Sequence, residues 1–309
     1  MRKPTHTKIL ITGAVSLLGR YLIQQLSDRF QLFLAFHRVP QPVISSHPQI
    51  RYLSLDVTNL SQVEKTISDT CPDVVIHLAA VSNIEYCQTH PKETRIINID
   101  ATSHLCQILS HSPTQLIFTS SSQVFSGQNA PYRETSLPHP VSIYGKTKLS
   151  AEKIILKTKS LSATIIRFAT MFGWPPDGAR ENDAIFYLQR LQNTKKIYLV
   201  NDRFYNPIYA LRAAQIIDKV IKMKTSCIFH VGGQDRVSRY SFVQNLISAF
   251  DIKNPPILVP VTGNYFKNFF PRPLDTTLST GKVKQMLRFT PTSLITDLRH
   301  MVNHPLSSD

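Results

Sequence analysis

No apolar run in this 309-residue chain approaches the roughly 20 residues a membrane span requires; the longest, Phe30–Phe36 and Asp73–Ala80, fall far short. A transmembrane protein is therefore not expected. Arg2 and Lys3 ahead of Ile9–Leu18 imitate a signal peptide, but Thr12-Gly13 interrupts that stretch and no small-residue cleavage site follows, so a cytoplasmic protein is expected. Cysteine is scarce. Cys71, Cys87, Cys106 and Cys227 show no metal-type spacing, which argues against a zinc site or a disulfide framework and for reduced core thiols. Acidic residues are few, 20 against 35 basic ones, for a formal charge of +15. The excess is spread over both halves without a basic arm or a nucleic-acid motif, so nucleic acid is set aside in favour of a small acidic ligand drawn in by the field.

What is present alternates. Short apolar runs at Lys8–Thr12, Leu32–Phe36, Arg51–Leu55, Val74–Ala79, Gln115–Ser120 and Ala163–Phe168 read as strands. Helical periodicity over Leu18–Asp28, Ser61–Asp69, Lys92–Ser110 and Ser142–Lys159 lies between them. That order predicts an α/β chain with a doubly wound parallel sheet of Rossmann type, covered on both faces. The texture changes at Trp174-Pro175-Pro176-Asp177-Gly178, so 1–173 is read as a dinucleotide-binding domain and 174–309 as mostly a smaller, α-rich substrate lobe. Ser226–Val231 is expected to return to the sheet as a strand. Further helices are expected at Asn182–Asn193, Ala210–Lys222, Ser241–Phe250, Thr280–Leu287 and Leu294–Asn303.

Two constellations carry chemistry. In the first, the strand Lys8–Thr12 enters Gly13 directly, and Leu17, Leu18, Tyr21, Leu22 and Leu26 then recur at helical spacing beyond Ser16 and around Gly19. A helix start of this kind offers unpaired N–H groups and a positive dipole end to a pyrophosphate when no side chain blocks the approach. One glycine is missing: Ser16 stands where reductase-type loops usually place a third, adding a Cβ and a hydroxyl at the turn. The second constellation is Tyr144-Gly-Lys-Thr-Lys148, about twenty residues after Ser120-Ser121-Ser122. Four residues along a helix set the phenol and the ammonium on one face, where they can move a proton. Alone, the pair also fits a solvated surface, and the serines also fit a polar turn ending a strand.

Taken in order, several segments resemble the extended short-chain dehydrogenases/reductases. They are Thr12–Gly19, Leu55–Val57, Pro72–Ala80, Ser82–Cys87, Asn98, Ser120–Gly127, Pro131–Glu134, Ser142–Lys148, Arg272-Pro273 and Leu278-Ser279. Within that group the chain is most similar to the dTDP-4-dehydrorhamnose reductases and to the regulatory beta subunits of methionine adenosyltransferase. The resemblance implies that Ser121 hydrogen-bonds a substrate carbonyl, that Tyr144 protonates the developing alkoxide, and that Lys148 holds the nicotinamide ribose. Lys148 is also expected to lower the Tyr144 pKa, since a phenol near 10 needs a shift of about 3 to act as acid or base at pH 7, but only inside a partly dry cleft where the bound cofactor excludes water. Further cofactor contacts are implied at Gly13, Ser16, Leu17, Leu18, Gly19, Asp56, Val57, Ala79, Ala80 and Asn98. His77, inside a buried run, is read as a core residue.

Cofactor choice turns on Phe36-His37-Arg38, where an acidic residue would reject a 2′-phosphate. Arg38 in that place favours NADP, with NAD still allowed. For the substrate, Ser82, Ser122, Gln123, Thr170 and Arg272 are the implied contacts, and Arg272 suits a diphosphate because guanidinium forks match phosphate oxygens; an ordinary surface arginine is the alternative. Dehydratases of the group carry Asp-Glu where this chain has Ser122-Gln123, so water elimination is not expected. Rhamnose reductases carry Asp-Tyr there and a tryptophan at the position of Thr170. The expected activity is therefore reduction or epimerisation of a related keto-sugar on a nucleoside diphosphate. A cofactor-binding regulatory subunit with a partner enzyme stands as the alternative, and a homodimer is left open.

Overall fold

The computed structural model describes residues 7–37, 47–266 and 270–305. Among the described residues, thirteen strands and eleven α-helices follow one another. The first half holds β1 (Lys8–Thr12), α1 (Leu17–Leu26), β2 (Gln31–Phe36), β3 (Ile50–Ser54), α2 (Leu60–Thr70) and β4 (Val74–His77). It continues with α3 (Ile84–Thr89), α4 (Pro91–Arg95), α5 (Ala101–Leu109), β5 (Gln115–Ser121), α6 (Ile143–Lys157) and β6 (Ala163–Phe168). The second half holds β7 (Met171–Phe172), α7 (Asp183–Asn193), β8 (Lys196–Val200), β9 (Phe204–Tyr205), β10 (Ile208–Tyr209), α8 (Ala210–Met223) and β11 (Ile228–Val231). After it come β12 (Val237–Ser238), α9 (Arg239–Ala249), β13 (Ile257–Val261), α10 (Gly281–Leu287) and α11 (Leu294–Asn303).

Seven strands form one parallel sheet in the order β11-β6-β5-β4-β1-β2-β3. The chain winds outward from β1 in both directions, which makes this the expected doubly wound Rossmann-type sheet. Its order reverses between β1 and β4, so a crevice opens there at the carboxyl ends of the strands. Strand residues alternate between two cores. Ile9, Ile11, Leu32, Leu34 and Ile76 pack with α1 and with Ala213, Ile216 and Ile217 of α8, whereas Leu10, Phe33, Val75, Leu116 and Phe118 pack beneath Val63, Leu105, Leu109 and Ile155 of α2, α5 and α6. The second half thus supplies the edge strand β11 and one covering layer, and its remaining strands form three two-stranded sheets beside the crevice.

Two departures from the expected elements shape the crevice. The single helix expected over Lys92–Ser110 is broken: α4 passes through a π-helical turn, Ile96–Asp100, before α5 begins. The extra residue of that turn accompanies Asn98 turned inward and buried. A helix not foreseen, α3, is started by Asn83, whose side chain accepts from the N–H groups of Glu85 and Tyr86. The short strands β7, β9, β10 and β12 and the pair β8–β13 were also not legible from periodicity; two-residue strands have no period to read.

Candidate active site

The crevice is a cleft of about 650 Å³. One wall comes from the loops after β1, β4 and β5 and from the start of α6, and the facing wall from residues 178–183, Val200, 203–205, Arg239, Arg272, Pro273 and Thr276.

The first wall begins at the glycine loop. Gly13 has φ +68, and a Cβ there would lie 2.7 Å from the Ala79 backbone nitrogen, so both torsion and space require glycine. Ser16 is the N-cap of α1, its hydroxyl accepting from the Gly19 N–H at 3.1 Å. The side chain that spoils the glycine spacing therefore starts the helix. The first-turn N–H groups of Leu17 and Leu18 have no intrahelical acceptor, and Ser16, Leu17 and Leu18 all border the cleft.

On the same wall β5 and α6 meet. Ser142 caps α6 by accepting from the Gly145 N–H at 3.1 Å, and a Cβ on Gly145 would stand 2.1 Å from the Gln123 carbonyl oxygen. The helix start is thus pressed against the loop after β5. This sets Tyr144 within hydrogen-bonding reach of Ser121. Lys148, 3% exposed, donates to the Thr119 carbonyl at 2.9 Å and lies over the Phe118 ring. Burial pushes the Tyr144 phenol up to about 12, with Ser121 and Arg180 pulling the other way and Cys87 adding to the rise. Burial brings Lys148 down to about 8, against Glu152, which raises it. The ammonium is turned to a β5 carbonyl, and desolvation dominates the displacement of both groups; the lowering of Tyr144 by Lys148 is expected in a cleft dried by the bound cofactor.

Ala80, Ser82, Ser121, Gln123, Tyr144, Lys148, Thr170 and Arg272 all line the cleft with the glycine loop. The Gln123 side-chain oxygen has no hydrogen-bond partner. Other expected contacts lie elsewhere. Ser122 is 1% exposed, in a turn of 3-10 helix behind the wall, and does not line the cleft: the chain turns inward there, and only the residues on either side of it face out. Asn98 accepts from the Val81 N–H at 2.8 Å and donates to the Val81 carbonyl and to Thr147, bracing the β4 loop against α6. Ala79 backs Gly13 from beneath. Asp56 accepts from the Thr58 N–H at 2.9 Å and from its hydroxyl at 2.7 Å, at the end of β3 beside Val57 and away from the cleft lining. Arg38 lies outside the described residues. His77 is fully buried between the hydroxyls of Thr12 (2.7 Å) and Thr102 (3.3 Å), and burial holds it near 3.

The facing wall was mostly missed. Arg180, Arg203, Arg239 and Arg272 converge on it, together with Tyr205. Arg239 pairs with Asp183, lies over the Tyr205 ring and is brought down to about 9 by burial and by Arg272. Arg272 is lowered by burial and by Arg203 and Arg180, although Glu85 at 3.2 Å offsets part of this. The guanidinium groups repel one another, which an anionic ligand would relieve. The Tyr205 hydroxyl is buried without a partner. In sequence these arginines are scattered over ninety residues, and only Arg272 sits in a recognisable motif.

With that geometry, the class is an extended dehydrogenase/reductase-type Rossmann protein. More narrowly, residues 7–306 match the family model described as the RmlD substrate binding domain, and the chain belongs to that family. Among its relatives, the methionine adenosyltransferase 2 subunit beta of Xenopus laevis is 26% identical over 285 residues, covering 90% of this chain and 82% of the relative. The dTDP-4-dehydrorhamnose reductase of Aggregatibacter actinomycetemcomitans is 26% identical over 301 residues, covering 92% and 94%. Among solved structures, the dTDP-4-dehydrorhamnose reductase of Bacillus anthracis in complex with NADP superposes with a TM-score of 0.86 at 20% identity, covering 97% of this chain and 99% of that one. The UDP-glucose 4-epimerase of Thermotoga maritima, solved with UDP-glucose, gives a TM-score of 0.82 at 19% identity, covering 96% and 98%.

Proposed function

We propose that this chain is an NADP-dependent reductase, or epimerase, of a keto-sugar carried on a nucleoside diphosphate. The observation that carries the reading is Ser121, Tyr144 and Lys148 set together in one cleft beside the glycine loop. The loop suits a dinucleotide: Gly13 leaves no room for a side chain over Ala79, and the helix start of α1 faces the cleft. Ser16 to Leu18 would hold the pyrophosphate, Lys148 the nicotinamide ribose, and Arg38, where no carboxylate precedes or follows, the 2′-phosphate. When bound, the nicotinamide supplies the hydride.

The protein's own part is the proton. Held near 12, Tyr144 is protonated at neutral pH and is thereby suited to donate its phenol proton to a carbonyl oxygen that becomes an alkoxide. Ser121 donates a hydrogen bond to the same oxygen. The arginine wall would receive the diphosphate, with Arg272 and Arg239 the nearest to its charge. Gln123 and Thr170 would face the sugar.

A second reading has support in the relatives named methionine adenosyltransferase 2 subunit beta, 26–28% identical: a cofactor-binding regulatory subunit in which the same cleft serves an assembly. One experiment separates the two. NADPH consumption by the purified protein against a panel of dTDP- and UDP-linked 4-keto-sugars should show turnover with at least one member. NADPH binding without turnover on any of them, together with a methionine adenosyltransferase catalytic subunit co-purifying at fixed stoichiometry, would replace the first reading by the second.

A further inference from the structure

One face of α6 and the end of β5 are joined by three successive rungs. Tyr144 lies within hydrogen-bonding reach of Ser121, the Thr119 carbonyl accepts from Lys148 at 2.9 Å, and Ser120 donates to Glu152 at 2.5 Å. The helix residues are spaced by four, so each rung is one turn below the last. Tyr144 and Lys148 have a place in the proposed chemistry. Glu152 has none, yet it is 1% exposed and paired with Arg167, which is 3% exposed and donates twice to it, at 2.9 and 2.6 Å. Arg167 in turn meets His230 at 3.2 Å, and His230 meets the Tyr132 carbonyl at 2.9 Å.

A buried ion pair of this kind is weak as a source of stability, because desolvating two charges consumes most of what their attraction returns. Its placement suggests a different use. We propose that Glu152 is a positioning residue for Lys148: as the third rung it locks α6 against the end of β5, and it supplies the fixed negative charge that keeps the buried ammonium in place and protonated. This rests on the reading of Lys148 as the cofactor-holding residue.

The surroundings of Lys148 single out Glu152. On α6 Lys148 has Tyr144 above it and Glu152 below; β5 presents the Phe118 ring and the Thr119 carbonyl; β4 presents His77, held neutral; and the segment after β4 presents Cys87, a buried thiol whose proton burial holds in place. Glu152 is the one anionic carboxylate among the described groups acting on Lys148, and the first to raise it against burial. Arg167, on β6, holds that carboxylate through two hydrogen bonds. Its role is to keep the carboxylate aimed.

The test follows the Lys148 ammonium itself. In the full chain labelled with 13Cε-lysine, the Lys148 signal, assigned by its absence in Lys148→Met, is titrated from pH 6 to 11. The wild type should titrate near 8, and Glu152→Gln should titrate lower by about one pH unit or more. Glu152→Asp should recover much of the difference, and Arg167→Lys should leave the midpoint where it was. Since Glu152→Gln strands a buried arginine and could unfold the chain, Glu152→Gln/Arg167→Met, without either charge, is carried alongside and should show the same fall. A midpoint unmoved in either folded variant would overturn the proposal and reduce Glu152 to a core ion pair. NADPH affinity, measured in parallel, should weaken in Glu152→Gln more at pH 8 than at pH 6. A moved Lys148 midpoint with an unmoved NADPH affinity would instead overturn the cofactor assignment of Lys148 while establishing Glu152's effect on it.

Discussion

The two walls of the cleft are built on opposite principles. Along the β5–α6 wall the charged and polar groups are buried or half-buried and, the Gln123 side-chain oxygen apart, satisfied by the fold, and the pKa values of Tyr144 and Lys148 are displaced chiefly by burial, the first upward and the second downward. Along the facing wall, arginines from separated segments crowd together, Arg239 and Arg272 are displaced partly by their arginine neighbours, and the Tyr205 hydroxyl is left unpartnered. A wall that satisfies itself is preorganised for chemistry, since nothing has to reorganise when charge develops. A wall with excess positive charge is prepared to hold something negative. The reading of the cleft as a reductase site depends on that division of labour.

The largest expected effect falls on the dry wall. Tyr144→Phe should lower turnover by on the order of 100-fold or more while NADPH affinity stays nearly unchanged, because it removes the proton donor and no main cofactor contact. Lys148→Met should lower both. Pre-steady-state hydride transfer and calorimetric NADPH titration, run on the same preparations, check the two halves. Wild-type turnover in Tyr144→Phe would remove the phenol from the mechanism.

Burial on that side also predicts how stability follows pH. His77 and His230 are held near 3 in the fold against an ordinary value of 6.5. Between those values the unfolded chain binds protons that the native one refuses, so the stability they contribute is complete above about 6.5 and lost as pH falls toward 3, on the order of a few kcal/mol. Lys148 acts at the other end: with a folded value near 8 against 10.5, stability should rise between pH 8 and about 10. Urea unfolding at pH 4, 7 and 9.5 measures both limbs. Equal midpoints at pH 4 and 7 would show that the two histidines are wetter than described.

How much of this could be read in the sequence differs between the walls for a physical reason. The doubly wound parallel sheet, α1, α6 and the Tyr144/Lys148 pair follow from local signals: apolar period, a glycine at a forced torsion, a four-residue spacing. The arginine wall assembles from residues 180, 203, 239 and 272, which no local period connects, and only folding brings them together. Ser122 shows the limit within a motif. Adjacent positions in a tight turn face opposite ways, so a residue can stand beside Ser121 and Gln123 in sequence and still point away from the cleft. The π-helical turn at Ile96–Asp100 was illegible because its residues fit an uninterrupted helix equally well, and Asn83 was a cap signal that could have marked α3.

Cofactor preference should give a more modest effect. NADP(H) should bind several-fold more tightly than NAD(H), and Arg38→Asp should reverse the order; calorimetry with both cofactors decides it, and equal wild-type affinities would contradict it. The smallest expected change sharpens the substrate end. The wild type should reduce dTDP-4-dehydrorhamnose poorly, and Gln123→Tyr/Thr170→Trp should gain a measurable part of that activity, Ser122 being left alone because a carboxylate there would be buried. Efficient wild-type production of dTDP-rhamnose in a coupled NADPH assay would overturn this and return the chain to the rhamnose reductases.

The division of labour itself is tested most directly by one paired steady-state comparison with whichever keto-sugar nucleotide is turned over. Tyr144→Phe should lower kcat with KM nearly unchanged, whereas Arg272→Met should raise KM by about tenfold with kcat changed far less, the signatures of lost transition-state and lost uniform binding respectively. If both variants lose kcat and KM in the same proportion, or if Arg272→Met leaves KM where it was, the cleft does not have one wall for chemistry and one for holding its ligand.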